Sequence, residues 1–254
     1  MLVPKTGQMQ RRILSRRQLI LGAGATTLLA GVDAFCLEPR WLRVTEHDVP
    51  VAKLPRNLDG YRMAQVTDAH LRNIGLVEEA IIGEIRRQNV GLVVLTGDMI
   101  DNPFRLPVLE EFCEGLRDNR RTVLATLGNW ENWARIPLEF LRTKYRACRV
   151  NLVVNQSALV DSAVVVIATD DSTGGTVRVN EAISGRSVAA ASFFLMHSPE
   201  LLDRLPETLG QFDLALAGHT HGGQGRIGTL APLRPPGSGR FVQAGTTSPL
   251  VKHM

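Results

Sequence analysis

Residues with metal-binding side chains recur in five short clusters, each directly after an apolar, strand-like run. The clusters read Asp68-Ala69-His70, Gly97-Asp98-Met99-Ile100-Asp101, Gly128-Asn129-Trp130-Glu131, His197-Ser198-Pro199-Glu200 and Gly218-His219-Thr220-His221-Gly222-Gly223-Gln224. Four of the six histidines of the chain fall in them. Because ligands of α/β sheets gather where strands end and loops begin, we expect the five clusters to form one site.

The side chains in these clusters predict a metal centre. The candidate ligands are Asp68, His70, Asp98, Asn129, His197, His219 and His221. This mixture of oxygen and nitrogen donors, without a thiolate, suits manganese, zinc or iron. Seven ligands are too many for one tetrahedral ion, and they suit two divalent ions that share a carboxylate. Such a pair polarises a phosphoryl group and lowers the pKa of a bridging water.

Each cluster by itself also has an ordinary structural explanation. Asp68 and Asp98 suit turns, where aspartate caps the local backbone. His197 follows the apolar run 193–196, so a satisfied histidine in the core is an alternative. The glycines around His219 also suit a flexible loop. The presence of all five clusters in one chain favours the metal centre over these alternatives.

The runs around the clusters predict alternating strands and helices. Predicted strands are 62–67, 91–96, 122–127, 152–154, 163–168, 192–196, 212–217 and 240–243. Predicted helices are 76–88, 106–118, 137–146 and 201–205. In the first helix Leu76, Ala80 and Ile81 belong to one apolar stripe at helical spacing. The alternation predicts an α/β fold.

The motifs in this order resemble those of the calcineurin-like metallophosphoesterases, most of all their exported or membrane-attached bacterial branch. The resemblance covers residues 54–249. It implies a two-sheet β-sandwich flanked by helices, an αββα arrangement, with the metals at the carboxyl ends of strands.

Carried over by motif, the resemblance also implies two ligand sets that share one aspartate. One set is Asp68, His70, Asp98 and His221, and the other is Asp98, Asn129, His197 and His219. Asp101 and Glu131 are expected to orient ligands. Asp98, Asn129 and His197 are the expected catalytic residues.

The activity that this resemblance implies is hydrolysis of a phosphodiester or diphosphate bond by a metal-bridging hydroxide. Lipid-linked and nucleotide-sugar diphosphates such as UDP-2,3-diacylglucosamine are candidate substrates, and a broad-specificity phosphodiesterase is an equal alternative. Two other classes stay open. One is a metal-binding protein with weak or no turnover, and the other is a single-metal hydrolase such as an amidase.

The chain departs from the family pattern at two places. Trp130 stands where the family usually has a histidine that protonates or stabilises the leaving oxygen. We therefore expect metal binding through Asn129 to survive and Trp130 to supply no proton, so that a water molecule or His197 is the alternative acid. Trp130 is expected to form an aromatic wall for substrate or simply to pack. The chain also ends at Met254, where relatives continue through another strand, so a naturally short end or an altered reading frame is expected.

Basic charge is concentrated at the N-terminus. The whole chain has 29 basic and 25 acidic residues, and positions 1–34 hold five basic residues against Asp33. The remainder has 24 of each sign, so no general nucleic-acid-binding surface is expected. Cys36, Cys113 and Cys148 lack C-x-x-C spacing and predict neither a zinc knuckle nor a disulfide framework.

Residues 1–35 resemble a twin-arginine export signal. Arg16 and Arg17 precede an uncharged run, 18–32, that is too short to span a bilayer comfortably. Cleavage after Ala34 and retention as a membrane anchor are alternatives. Residues 36–53 are then a connecting segment and 54–254 the metallophosphoesterase domain. The expected location is the periplasm, the cell surface or the outer face of the cytoplasmic membrane, and the export machinery is an expected partner.

The export hypothesis predicts that the paired substitution Arg16→Lys and Arg17→Lys leaves the protein in the cytoplasm. Cell fractionation checks this, with Arg11→Lys and Arg12→Lys as the matched control outside the motif. Normal export of the Arg16 and Arg17 variant would contradict the hypothesis.

Overall fold

In the part of the chain that the structure describes, two four-stranded sheets make up the centre of the fold. The computed structural model describes residues 42, 44–184, 191–205 and 212–220. The proposed signal at 1–35, the predicted strand 240–243 and His221 lie outside these residues. Among the described helices, none combines the length and the apolar composition of a membrane-spanning segment.

The first sheet is entirely parallel. Its strands, in spatial order, are β1 (Met63–Val66), β2 (Leu92–Thr96), β3 (Thr122–Thr126) and β4 (Asn151–Leu152). The helices that follow its strands are α1 (Leu76–Arg87), α2 (Leu106–Leu116), α3 (Asn129–Trp133) and α4 (Leu138–Ala147). All of β2 is buried, as expected of a parallel strand covered on both faces.

The second sheet is mostly parallel. Its strands, in spatial order, are β5 (Gln156–Val160), β6 (Val164–Ala168), β7 (Ala191–Leu195) and β8 (Leu214–Leu216). Only β5 runs antiparallel to its neighbour. The two helices described in this half are α5 (Val179–Ser184) and α6 (Leu201–Arg204).

Alternate side chains of the central strands pack into different layers. On β2, Val93 and Leu95 join the helices α1, α2 and α4 in one core, while Val94 joins the core between the sheets. On β6, Val166 faces the first sheet and Ile167 faces α5 and α6. This alternation follows from the two-residue period of a strand. The αββα arrangement is therefore confirmed.

Polar side chains bond the two sheets together near their carboxyl ends. Gln65 on β1 donates its side-chain N–H to Thr96 Oγ1 (2.7 Å) and to the Ala217 carbonyl (3.0 Å). Thr126 at the end of β3 donates its hydroxyl to the Thr169 carbonyl (2.6 Å). A buried polar group left without a partner costs about 1–3 kcal/mol, so these bonds constrain how the sheets align.

Three features of the described chain differ from the sequence-based prediction. The predicted strand 152–154 is two residues long and begins earlier, at Asn151. Strand β5 and helix α5 were not predicted, because β5 mixes exposed and buried positions and α5 is a short helix after glycines. Helix α3 replaces the loop expected after β3, since Gly128 caps it and Glu131 closes its first turn.

Two of the three cysteines lie in the described part, and both are buried free thiols. These are Cys113 on α2 and Cys148 after α4. Burial raises the pKa of both thiols.

Candidate metal centre

The carboxyl ends of five strands bring six of the seven candidate ligands together. Asp68 and His70 follow β1, Asp98 follows β2, and Asn129 opens α3 after β3. From the second sheet, His197 follows β7 and His219 follows β8. The centre is thus shared by both sheets, and the seventh candidate, His221, lies outside the described residues.

The carboxylate of Asp98 lies between two histidines. Its Oδ2 atom is 3.1 Å from His197 Nε2 and 3.9 Å from His70 Nε2. Two groups of ligand atoms, each within 4.8 Å of one another, overlap at this residue. The groups are Asp68, His70 and Asp98, and Asp98, His197 and His219. Asp98 therefore belongs to both groups of candidate ligands.

His197 is fully buried, and one of its ring nitrogens is hydrogen-bonded to the backbone. Its Nδ1 lies 2.8 Å from the Thr96 carbonyl, which only an N–H can bond. This bond turns Nε2 toward the centre, 3.1 Å from Asn129 Oδ1. The unprotonated form then presents a lone pair to a cation, as in many metal sites.

The charges of the centre favour ionised aspartate. Burial acts to raise the pKa of Asp98, but the hydrogen bond and charge of His197 and the N–H of Trp130 lower it below its usual value. Burial also acts to lower the pKa of His197, but contact with Asp98 and the charge of Asp68 raise it to about 9. A negative carboxylate is thus present for a cation to bind.

Four of the candidate ligand residues have a left-handed backbone. The φ angles are 54° at Asp68, 41° at His70, 54° at Asp98 and 68° at His219. This region is unfavourable for residues other than glycine and typically costs about 1–3 kcal/mol at each position. Such strain persists only where the surrounding structure enforces it. At each of these four positions it bends the backbone so that the side chain turns into the centre.

Two glycines allow the loops to approach this closely. A Cβ atom at Gly128 would collide with the Asp98 carboxylate, and one at Gly218 would collide with Thr67 Oγ1. The Gly-Asn and Gly-His pairs of the sequence clusters therefore have a steric reason. Glycine permits the neighbouring loop to pack against the ligand.

Glu131 holds the loop that carries Asp98. Its carboxylate accepts the backbone N–H groups of Asp98 (3.0 Å), Met99 (2.6 Å) and Ile100 (3.1 Å), and also that of Gly128 (3.0 Å). Burial and the nearby charge of Asp98 raise the pKa of Glu131 to about 7, although its N–H partners oppose the shift. Glu131 thus fixes the backbone beneath the centre without contacting the ligand atoms.

Two threonines that the sequence did not single out also orient ligands. Thr67 donates its hydroxyl to Asp68 Oδ2 (2.7 Å), and the Thr96 carbonyl holds the ring of His197. Asp68 also accepts the backbone N–H of His219 (3.0 Å), which joins the two sheets directly. Thr67 follows β1 directly before a ligand cluster, and that position was the available signal for its side chain.

The remaining predicted residues have different surroundings. Asp101 is half-buried, and among the described residues no hydrogen bond connects it with a ligand. Trp130 is 41% exposed, and its ring stands edge-on to His70 with centroids 5.8 Å apart. Its backbone N–H donates to Asp98 Oδ1 (2.9 Å). The roles predicted for the two side chains, in orienting ligands and lining substrate, remain predictions.

The donor atoms fit divalent metal ions. Carboxylate oxygens, an amide oxygen and imidazole nitrogens converge here, and this set is typical of manganese, zinc and iron sites in proteins. Their arrangement in two overlapping groups around Asp98 matches neither a buried ion pair nor a simple turn. The sequence match to a known protein family agrees with this chemistry. The calcineurin-like phosphoesterase family matches residues 61–223.

The chain belongs to the calcineurin-like phosphoesterase family. Family members are metal-dependent hydrolases of phosphoric esters, and the Asp and His groups described above supply the metal ligands that this activity requires. The predicted family and enzyme class are therefore confirmed. The amidase alternative is not supported.

Several relatives carry the same family name. The chain is 29% identical over 246 residues to the uncharacterized metallophosphoesterase YkuE of Bacillus subtilis, covering 91% of this chain and 85% of that protein. It is 26% identical over 199 residues to an uncharacterized metallophosphoesterase of Aquifex aeolicus, covering 74% and 72%. A transmembrane protein with a metallophosphoesterase domain from Danio rerio is 25% identical over 228 residues, and the chain spans 51% of its length.

The bonds of Glu131 predict that Glu131→Gln destabilises the protein. Each carboxylate oxygen accepts two N–H groups, so the amide NH₂ of glutamine would face two donors whichever way it turned. We expect the free energy of unfolding to fall by about 3 kcal/mol, measured by urea denaturation. Glu139→Gln is the control, because the Glu139 side chain is 86% exposed. Equal stability of the two variants would contradict the role given to Glu131.

Proposed function

We propose that the protein hydrolyses a phosphodiester or diphosphate bond with two divalent ions held around Asp98. The observation that carries the proposal is the position of Asp98 Oδ2, within 4 Å of His70 Nε2 on one side and His197 Nε2 on the other. A carboxylate that belongs to two ligand groups at once favours a pair of ions over a single one. Manganese, zinc and iron all suit these donors.

The described ligands expected for one ion all follow strands of the first sheet, and those expected for the other come from both sheets. Asp68 and His70, with His221 as the further candidate, would hold one ion, and Asn129, His197 and His219 would hold the other, with Asp98 shared. When bound, the ions polarise the phosphoryl oxygens and make a water molecule a stronger nucleophile near neutral pH. The chain's own contribution is orientation. Thr67, Thr96 and Glu131 hold ligand side chains or their backbone in place before substrate arrives.

The leaving group sets the choice between substrates. Trp130 has no acid with which to protonate a departing alkoxide, and an alkoxide leaves poorly without a proton. A departing phosphate group has a pKa of about 6 and leaves without help. The exposed ring of Trp130 beside His70 therefore favours diphosphates and aryl esters, and it offers a flat apolar surface to a base or an acyl chain.

Export by the twin-arginine route is the second part of the proposal. Its support is the sequence of residues 1–35, with Arg16 and Arg17 before a short apolar run. A location outside the cytoplasm, with association with the membrane surface, is consistent with a lipid-linked substrate.

The proposed ion pair predicts that Asp98→Asn loses metal and activity. The neutral amide keeps the size of the side chain but removes the shared charge. Mutation of residues that merely orient metal ligands typically lowers metal affinity or activity by about 10–100-fold. We therefore expect the activity of Asp98→Asn on bis(p-nitrophenyl) phosphate to fall by at least about 100-fold. Elemental analysis should show that at least one ion per chain is lost. Asp118→Asn, an exposed position, is the control. Two retained ions and normal turnover in Asp98→Asn would refute the shared-carboxylate assignment.

The surroundings of Trp130 predict a steep dependence of rate on leaving-group pKa. Rates for a series of aryl and alkyl phosphodiesters should fall sharply as that pKa rises. Trp130→His should restore an acid and speed alkyl diesters by about 10²-fold, which flattens the dependence. Trp133→His, one helical turn away, is the control. Equal rates on alkyl and aryl diesters, unchanged by Trp130→His, would show that Trp130 does not set this preference.

A further inference from the structure

One loop at the carboxyl end of the second sheet carries none of the seven candidate ligands. It is the segment 170–178, which follows β6 and which we call the β6 loop. Because β6 and β7 are parallel neighbours, this loop emerges beside His197, the candidate ligand after β7. Its first six residues read Asp170-Asp171-Ser172-Thr173-Gly174-Gly175, and they lie outside the five clusters that predicted the metal centre.

Asp171 is fully buried in the β6 loop, and its carboxylate accepts three hydrogen bonds. Oδ2 accepts the backbone N–H groups of Thr173 (2.8 Å) and Gly174 (2.6 Å). Oδ1 accepts the hydroxyl of Ser198 (2.5 Å). Burying a carboxylate is costly unless donors surround it, so the loop and Ser198 are held together around this side chain.

The bond to Ser198 connects Asp171 with His197. Ser198 directly follows His197, is buried, and accepts the backbone N–H of Leu201 on its carbonyl (3.2 Å) at the start of α6. The bond between Ser198 and Asp171 therefore fixes the backbone that carries the His197 side chain. The Thr96 carbonyl fixes only the ring of that histidine.

The bond to Gly174 connects Asp171 with Asn129, which comes from the first sheet. A Cβ atom on Gly174 would lie 2.9 Å from Asn129 Cα and 3.0 Å from the Asn129 carbonyl oxygen. The glycine thus packs directly on the backbone of this candidate ligand. Asp170 also accepts the side-chain N–H of Asn132 (2.9 Å), which lies on the same helix, α3. The β6 loop therefore supports α3 at the residue that opens it.

One carboxylate thus links two candidate ligands that come from different sheets. His197 Nε2 and Asn129 Oδ1 are 3.1 Å apart, and both belong to the ligand set expected for one ion. Strands β3 and β7, which lead to these residues, lie in different sheets, so no backbone ladder sets the distance between them. The contacts of the β6 loop are a direct means of setting it.

We propose that Asp171 is a positioning residue for the ion that Asn129 and His197 are expected to hold. It holds Ser198 and Gly174 in place, and hence the two ligands beside them at the spacing that the ion requires. The inference rests on the proposed function, because it concerns the same pair of ions. It predicts that loss of this one carboxylate affects one ion much more than the other.

Equilibrium dialysis of the full chain against manganese tests the proposal. Asp171→Ala removes all three bonds of the carboxylate. Asp213→Ala is the matched control, because Asp213 accepts the hydroxyl (3.0 Å) and the backbone N–H (2.8 Å) of Ser192 at the other end of β7. Loss of a group that orients metal ligands typically lowers affinity by about 10–100-fold. We therefore expect Asp171→Ala to bind one of two ions at least about tenfold more weakly, and Asp213→Ala to bind both normally.

Urea denaturation of the metal-free proteins separates positioning from general damage to the fold. Both variants lose hydrogen bonds to a carboxylate, so both should unfold at lower urea concentrations than the unsubstituted chain. Only Asp171→Ala should also lose manganese affinity. Equal manganese binding by Asp171→Ala and Asp213→Ala, whether normal or weakened in both, would overturn the proposal.

Gly174→Ala is a second variant, which keeps the Asp171 carboxylate and tests the contact with Asn129. Gly83→Ala is its control, because a Cβ atom there meets nothing within 4 Å. In crystals grown with manganese, we expect Gly174→Ala to lose anomalous signal beside Asn129 and to keep it beside Asp68. Gly83→Ala should keep both signals. Loss of both signals, or of neither, in Gly174→Ala would overturn the proposal.

Hydrolysis of bis(p-nitrophenyl) phosphate separates this inference from the proposed function. If the unsubstituted chain binds two ions but hydrolyses no phosphodiester or diphosphate, the proposed function fails, and dialysis still decides the role of Asp171. If the unsubstituted chain hydrolyses the diester and Asp171→Ala binds both ions normally, this inference alone fails. An unsubstituted chain that binds no manganese would overturn both.

Discussion

The geometry of the centre depends on the buried carboxylate of Glu131. Four backbone N–H groups converge on it, three of them from the consecutive residues Asp98 to Ile100. These four bonds hold the loop in the left-handed conformation that Asp98 adopts (φ 54°). With that backbone held, the carboxylate of Asp98 points between His70 and His197.

The second constraint is the alignment of the two sheets. The strands of each sheet hydrogen-bond with one another, and no strand of one sheet pairs with a strand of the other in the described residues. The ligands come from both, so the centre exists only if the sheets keep one alignment. Gln65 bonds the end of β1 to the segment after β8, and the Thr96 carbonyl bonds His197. Asp68 accepts the N–H of His219. These bonds lie beside the ligands, which explains why polar groups are buried there.

Much of this arrangement could be predicted from the sequence, and the reasons are local. Strands β1, β2 and β3 are short apolar runs that end in polar clusters, so both their positions and the candidate ligands at their ends were recognisable. Edge strand β5 was missed because half of it faces solvent. The left-handed angles and the carbonyl of Thr96 were also missed, since no side-chain pattern records where a backbone atom points. Periodicity likewise does not show which sheet β7 and β8 join.

Anomalous X-ray diffraction from crystals grown with manganese tests the central claim most directly, because it locates each ion relative to the carboxylate of Asp98. We predict two anomalous peaks about 3.5–4 Å apart, with Asp98 Oδ2 between them and Asn129 and His197 beside only one. A single peak, or two peaks that do not share Asp98, would contradict the account.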